Sequence, residues 1–263
     1  MTEPQPSDGF EWAQAPWGRV LRCRPLAAIA PHFFTDRSLE LRADDPEWTR
    51  VAQFAGVSSE RLVLLRQVHG RTIVSADIGR DGDGRRPPEA DGVISQDPES
   101  ALVVRVADCA PILMADRRTG AVAAVHAGWR STMQQIVDHA VAMLVDRFGS
   151  KPGDLLAAIG PSLGQCCGEM GEEVVAAFRA AGHSGNDIDR WFDRTGRKPH
   201  FDLWRANRDQ LERAGVPAEN VFSAGLCTKT HATNFHSYRA DGANAGRMAA
   251  VIRAANPRPA TTV

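Results

Sequence analysis

Short apolar runs alternate with polar turns along most of this chain, a pattern typical of a mixed α/β fold. Runs of strand length occur at residues 62–65, 101–106 and 155–159. The runs at 112–114 and 121–125 flank a polar turn, which predicts a hairpin. Shorter apolar runs predict further strands at residues 32–35, 90–94, 221–226, 235–239 and 249–252. Short apolar pieces within residues 10–31 predict edge strands.

The clearest helical pattern follows the predicted hairpin. Apolar residues recur with a period near 3.6 from Met133 to Phe148, and Gly149 would end the helix. Ser131 and Gln134 have the spacing of a capping box. Other helices are predicted at residues 47–54, at 172–181, and from a capping Asp202 to 213.

Strands and helices do not alternate strictly, and several strands follow one another as hairpins. This order favours an α/β fold built as a single-domain layered sandwich, with a mixed β-sheet and flanking helices, over a doubly wound sheet. We expect one domain over residues 1–263, with frayed termini at 1–8 and 256–263. The Gly- and Pro-rich stretch 79–90 is either a lid or a tolerant surface loop.

Composition and charge exclude several classes of partner. Lys plus Arg number 31 against 32 Asp plus Glu, so neither nucleic acid nor an anionic membrane is an expected partner. No apolar run approaches the ~18 residues of a membrane span, and no signal peptide is expected. The five scattered cysteines indicate reduced thiols and a cytoplasmic protein. The pattern does not predict an oligomeric state.

Three apolar runs end near a residue that can bind a metal. These residues are His69, Cys109 and His126. Two histidines and a cysteine could hold zinc and leave its fourth position open to water or substrate, as catalytic zinc sites do. The chain has no C-x-x-C pair, so a structural zinc finger is not indicated.

The same three residues also permit a different chemistry. Cys109 could be a nucleophile with His126 or His69 as its base and Asp108 orienting, and Asp108 is also a candidate for substrate binding. A thiolate held by zinc does not attack carbon, so the two chemistries exclude each other at any one moment. Each residue could also simply pack or form hydrogen bonds in the core.

Three charged residues are further candidates for substrate binding or catalysis. Arg130 follows His126 at a strand-to-helix turn and could bind a phosphate or carboxylate, and Arg66 could do the same. Either could instead be an ordinary surface arginine. Glu169 could serve as an acid or base, whereas the adjacent Cys166 and Cys167 are interpreted as packing residues.

A set of short motifs covers most of the chain, from about residue 32 to 252. They are RQVHG at 66–70, ADG at 90–92, ADC at 107–109, HAGWR at 126–130, IGPS at 159–162 with CC at 166–167, DL at 202–203, LCT at 226–228, and SYR at 237–239 with GR at 246–247. Together they resemble the laccase-domain family, also called polyphenol oxidase-like or YfiH-type, which includes a peptidoglycan editing factor.

The resemblance implies zinc bound by His69, Cys109 and His126. It also implies small-molecule partners, namely purine nucleosides and phosphate, with phosphorolysis of adenosine, inosine and methylthioadenosine and deamination of adenosine. Two departures stand out. The family's Gly-rich loop is missing after Thr35, and Gly168 stands where the family tends to have tyrosine.

Three alternatives to a zinc nucleoside enzyme stay open from the residues alone. A Cys–His hydrolase that edits peptidoglycan precursors would survive chelation but not thiol alkylation. Copper at the same three ligands could give a polyphenol oxidase, although the eight histidines include no H-x-H pair typical of multicopper centres. A metal- or nucleoside-binding protein without turnover is the third. The zinc cytidine-deaminase pattern is absent.

Overall fold

The computed structural model describes residues 3–43, 45–76 and 87–255. Within these ranges the chain forms fourteen strands: β1 Phe10–Ala15, β2 Gly18–Cys23, β3 His32–Thr35, β4 Leu62–Val63, β5 Ile73–Ser75, β6 Gly92–Ser95, β7 Ala101–Val106, β8 Ala110–Asp116, β9 Val122–Ala127, β10 Leu155–Ile159, β11 Phe192–Asp193, β12 His200–Phe201, β13 Val221–Ser223 and β14 Met248–Arg253. The same ranges contain eight α-helices, besides short 3-10 turns: α1 Arg24–Ala27, α2 Trp48–Ala55, α3 Trp129–Met133, α4 Ile136–Phe148, α5 Glu172–Ala180, α6 Gly185–Trp191, α7 Leu203–Arg213 and α8 Tyr238–Asp241.

Twelve of these strands build two six-stranded sheets. The first has the order β1-β2-β3-β14-β7-β4, and the second has the order β13-β10-β8-β9-β6-β5. Most neighbours are antiparallel, but β4 pairs parallel with β7, β10 with β13 and β5 with β6. Both sheets are therefore mixed, and the predicted fold class is confirmed.

The two sheets stack face to face between helices. Alternate residues of β7 show the arrangement, because Leu102 and Val104 pack between the sheets whereas Val103 packs toward α2. The outer face of the second sheet is covered by α4, α5 and α7. A fully buried leucine or valine contributes about 1.5–3 kcal/mol to folding, so this four-layer packing supplies most of the stability.

The predicted helix after His126 is interrupted, so its proposed start is wrong. Ser131 is a buried residue inside α3 rather than a cap, and no side-chain hydrogen bond caps α4. Gln135 has φ 59°, a left-handed conformation that breaks the helix before Ile136. Gln210 of α7 donates a hydrogen bond to the carbonyl of Thr132, which ties the end of α3 to α7.

The predicted strand at 235–239 is also wrong. Ser237 caps α8 there, since its hydroxyl accepts a hydrogen bond from the Ala240 amide. Residues 3–8 were expected to fray, but the Ser7 amide donates to the Ala224 carbonyl. The expected fray at 1–2 and 256–263, and most of the 79–90 loop, lie outside the described residues. No helix in the described part is long and apolar enough to cross a membrane.

The half-buried Asp138 of α4 makes stability depend on pH. Burial raises its pKa to about 6, although Arg213 partly offsets this, and its Oδ2 has no hydrogen-bond partner among the described residues. The unfolded carboxyl ionises near 3.8, so stability is lost as the pH rises from there through about 6. We expect Asp138→Asn to gain about 1 kcal/mol at pH 8 and nothing at pH 4, after allowance for partial exposure.

Urea unfolding at the two pH values measures this gain. Asp146→Asn, on the exposed side of the same helix, is the matched control and should leave stability unchanged. An equal gain at pH 4 and pH 8 for Asp138→Asn would show that the buried charge is not the cause.

Candidate metal centre

His69, Cys109 and His126 meet in the folded chain. Their donor atoms all lie within 4.8 Å of one another, and the two imidazole rings have centroids 4.9 Å apart. His69 lies between β4 and β5, Cys109 between β7 and β8, and His126 within β9. Three separate segments of the chain thus bring one sulfur donor and two nitrogen donors together.

The buried Asp91 organises two of the three segments. Its carboxylate accepts hydrogen bonds from the amides of His69, at 2.9 Å, and Gly70, at 2.6 Å. The same carboxylate contacts His126 Nδ1 at 2.8 Å. With Nδ1 engaged in this way, Nε2 of His126 is the nitrogen available to a metal, an arrangement frequent around metal-binding histidines.

Two residues at the site adopt a backbone conformation that side chains rarely favour. His69 has φ 59° and Asp108 has φ 84°. The Asp108 carboxylate accepts hydrogen bonds from Thr228 Oγ1, at 2.6 Å, and from the Arg239 amide, at 2.5 Å. These contacts offset the strain and fix the turn that presents Cys109. Asp108 therefore positions Cys109 and has both carboxylate oxygens engaged.

The neighbours of Cys109 favour its thiolate form, and the neighbours of His126 favour its protonated form. Burial raises the pKa of the Cys109 thiol, but the charge and hydrogen bonds of His126, then those of His69, outweigh burial and lower it to about 6. Burial likewise lowers the pKa of His126, but the Cys109 thiolate and Asp91 raise it to about 9. A thiolate is the form in which cysteine binds metals.

The three donors lie at one side of a cavity of about 840 Å³. Five arginines line it: Arg42, Arg105, Arg130, Arg239 and Arg247. Asp108 is the one carboxylate among the described residues of its wall. The cavity is therefore suited to an anionic or phosphate-bearing ligand. Its apolar wall includes Trp129, Phe201 and Tyr238.

The structure brings some of the other predicted residues to the cavity and leaves two outside it. Arg130 lines the cavity, and its guanidinium lies 4.3 Å from the centroid of the Trp129 ring. Arg66 instead forms an exposed ion pair with Glu89. Glu169 is exposed and forms an ion pair with Lys198, and neither Arg66 nor Glu169 is part of the described cavity wall.

A sequence model of the multi-copper polyphenol oxidoreductase laccase family matches residues 43–255. The chain belongs to this family. A relative named purine nucleoside phosphorylase, from Deinococcus radiodurans, is 37% identical over 90% of this chain and 94% of its own length. A relative named adenosine deaminase, from an unknown prokaryotic organism, is 37% identical over 79% of this chain and 80% of its own length.

A solved structure agrees with this assignment. The crystal structure of YlmD from Geobacillus stearothermophilus superposes with a TM-score of 0.81 at 29% identity, covering 93% of this chain and 99% of the other. The resemblance found in the sequence motifs is thus confirmed. The names of the relatives support an enzyme of a nucleoside-processing family. Together with the His–Cys–His group, the laccase-like family indicates a metal site.

Gly168, which stands where the family tends to have tyrosine, lies close to the backbone of Phe201. A Cβ placed on Gly168 would lie 2.4 Å from the carbonyl oxygen of Phe201, so a side chain there requires β12 to shift. Gly168 also lines the cavity, so that part of the wall is backbone. The other departure is the missing Gly-rich loop after Thr35. In this part of the chain, Arg42 and Ala43 line the cavity.

Gly128 packs directly against two of the three candidate metal ligands. A Cβ at this position would lie 2.9 Å from Cys109 Sγ and 3.2 Å from His69 Cδ2. Its φ of −78° and ψ of 173° suit any residue, so Gly128→Ala should fold normally. We expect the variant to lose at least about tenfold in metal affinity because the donors are pushed apart.

Competition with a chromogenic chelator measures that affinity. Gly153→Ala is the matched control, because no atom lies within 4 Å of a Cβ added there. Unchanged metal affinity in folded Gly128→Ala would show that the metal does not bind next to Gly128.

Proposed function

We propose that this protein is a zinc-dependent purine nucleoside enzyme. It cleaves adenosine, inosine and methylthioadenosine with phosphate, and it deaminates adenosine. The observation that carries the proposal is the His69, Cys109 and His126 group at the wall of an arginine-lined cavity. The names of the relatives support the same reaction class.

The donor set fits zinc. Two imidazole nitrogens and one thiolate are ordinary zinc ligands, and three protein donors are what catalytic zinc sites provide. The buried Asp91 holds His126 in the tautomer that leaves Nε2 for the ion. When bound, zinc would supply Lewis-acid chemistry at an open coordination position. Copper would bind the same donors.

Phosphate would be bound by the cationic wall. Arg130 takes part in none of the ion pairs found within residues 3–43, 45–76 and 87–255, and its guanidinium is stacked on Trp129. Stacking orients the planar group and leaves its N–H donors for a phosphate. Phosphate held there would be positioned to attack the ribose carbon of a bound nucleoside.

The apolar wall would hold the purine base. Tyr238 is 57% exposed and lines the cavity, so its ring is accessible to a ligand. Phe201 and Trp129 line the same cavity, and flat rings of this kind stack on bases. Binding the base on one side and phosphate on the other would place the glycosidic bond near the three metal ligands.

The location and the extent of the protein are part of the proposal. All five cysteines are free in the structure, which supports a reducing compartment, and we place the protein in the cytoplasm. We also treat residues 1–263 as one domain acting on small molecules, without nucleic-acid or membrane partners.

Product analysis tests the function directly. Protein of measured zinc content is incubated with adenosine, with and without phosphate, and the products are separated by chromatography. The proposal expects adenine and ribose 1-phosphate only with phosphate, and inosine in either case, part of which is cleaved further to hypoxanthine when phosphate is present. Chelated protein should form neither product and should recover when zinc is restored. Protein with one zinc per chain that forms no product would overturn the proposal.

Arg130→Ala should weaken phosphate binding while zinc stays bound. A hydrogen bond to a charged group contributes about 1.5–3 kcal/mol, so we expect the KM for phosphate to rise about 10- to 100-fold. Deamination, which needs no phosphate, should change much less. Arg147→Ala, an exposed arginine of α4, is the control. An unchanged KM for phosphate would remove Arg130 from the site.

A further inference from the structure

Three further cysteines meet away from the candidate metal centre. Cys166 and Cys167 lie in the one-turn helix Gln165–Cys167, and Cys227 follows β13. Their sulfur atoms all lie within 4.8 Å of one another. The interpretation of Cys166 and Cys167 as packing residues is wrong, because Cys166 is exposed and Cys167 half-buried, whereas Cys227 is 5% exposed.

The spacing of the sulfurs matches a metal–thiolate group. Sulfurs bound to one ion at about 2.3 Å lie about 4 Å from one another. Cys166 Sγ and Cys167 Sγ are 3.8 Å apart. The hydroxyl of Thr230 lies 3.5 Å from Cys166 Sγ and 3.6 Å from Cys167 Sγ, so it contacts both thiols.

We propose that Cys166, Cys167 and Cys227 form a second metal site, which binds one monovalent copper ion through three thiolates. Soft thiolates bind both Cu(I) and zinc, but a closed structural zinc site takes four ligands and this group offers three, which suits Cu(I) better. The exposed Cys166 gives the ion access from solvent. Binding releases the thiol protons to solvent and moves no electrons, because the ion arrives as Cu(I).

The second site has its own ligands, but hydrogen bonds join residues next to the two groups of ligands. Thr228, next to Cys227, donates to the carboxylate of Asp108, next to Cys109. Arg239 links the same parts, because its side chain donates to the Cys167 carbonyl and its amide to Asp108. The two sites share no ligand, so substitution of a ligand in one site distinguishes metal binding there from metal binding in the other.

Anaerobic titration of the reduced, zinc-loaded protein with Cu(I) in the presence of bicinchoninate tests the proposal. We expect one Cu(I) per chain to be withheld from the chelator and three thiols to become unreactive toward a thiol reagent. Removal of one ligand should weaken binding at least about 100-fold, more than the loss of a neighbouring group does. Cys227→Ser and Cys166→Ser should show this loss, and the exposed Cys166 keeps the test valid if Cys227→Ser fails to fold.

Cys109→Ser is the control and should retain the copper ion. Loss of the ion in Cys109→Ser but not in Cys166→Ser would assign copper to the first site and overturn the proposal. Complete removal of Cu(I) by the chelator would also overturn it. So would loss of two thiols on exposure to air with no copper retained, which would identify a disulfide pair instead.

Discussion

Cys109→Ser is expected to abolish both zinc binding and turnover of nucleosides. Serine has an alcohol that is not deprotonated at neutral pH, so the site loses its only anionic donor. The two imidazoles that remain would hold zinc at least about 100-fold more weakly, because loss of even a supporting group costs 10- to 100-fold. Activity should fall in proportion to zinc content, as measured by chelator competition and product chromatography.

The matched control for this variant is Cys23→Ala. Cys23 is a buried cysteine of β2 that packs in the core between the sheets and takes no part in either group of donors. It should lower stability and leave zinc content unchanged. Activity that persists in metal-free protein and disappears on alkylation of Cys109 would contradict the zinc mechanism. That result would instead favour the Cys–His hydrolase, with Cys109 as the nucleophile and the neutral imidazole of His126 as the base that takes up its proton.

Much of the sheet structure could be predicted from the sequence because strand patterns are local. The predicted runs at 101–106 and 155–159 coincide with β7 and β10. The hairpin of β8 and β9 was also correct, although both strands are longer than predicted. Short connections then fix where each strand ends, and this is why His69, Cys109 and His126 could be expected to meet.

The groups that hold the site together are contacts between distant segments, which periodicity does not reveal. Asp91 stood in a recognised motif, but nothing in the sequence indicated that it contacts both His69 and His126. The hydrogen bond from Thr228 to Asp108 joins residues 120 positions apart. The cavity arginines likewise come from separate segments. The break at Gln135 depends on packing against α7 and was missed for the same reason.

Asp91→Asn is expected to have the second-largest effect at the site. The carboxylate of Asp91 accepts hydrogen bonds from three backbone amides and contacts His126 Nδ1. An amide keeps one oxygen and turns an NH₂ group toward some of these donors, and each buried donor left unpaired costs about 1–3 kcal/mol. We expect a loss of about 2–4 kcal/mol in stability and a 10- to 100-fold loss in zinc affinity.

Measuring the loss of stability and the loss of zinc affinity separately shows whether Asp91 positions the metal ligands or only stabilises the fold. Asp116 is also buried, and it accepts hydrogen bonds from the amides of Arg118 and Thr119 in the β8–β9 turn, at the opposite end of this hairpin from Cys109 and His126. Asp116→Asn should therefore lower stability to a similar extent and leave zinc affinity unchanged. Both variants are compared at a temperature where each is folded. Equal zinc affinity of Asp91→Asn and Asp116→Asn would show that Asp91 only stabilises the fold. A loss of zinc affinity in Asp91→Asn alone would show that the Asp91 carboxylate holds His69 and His126 in place for the ion.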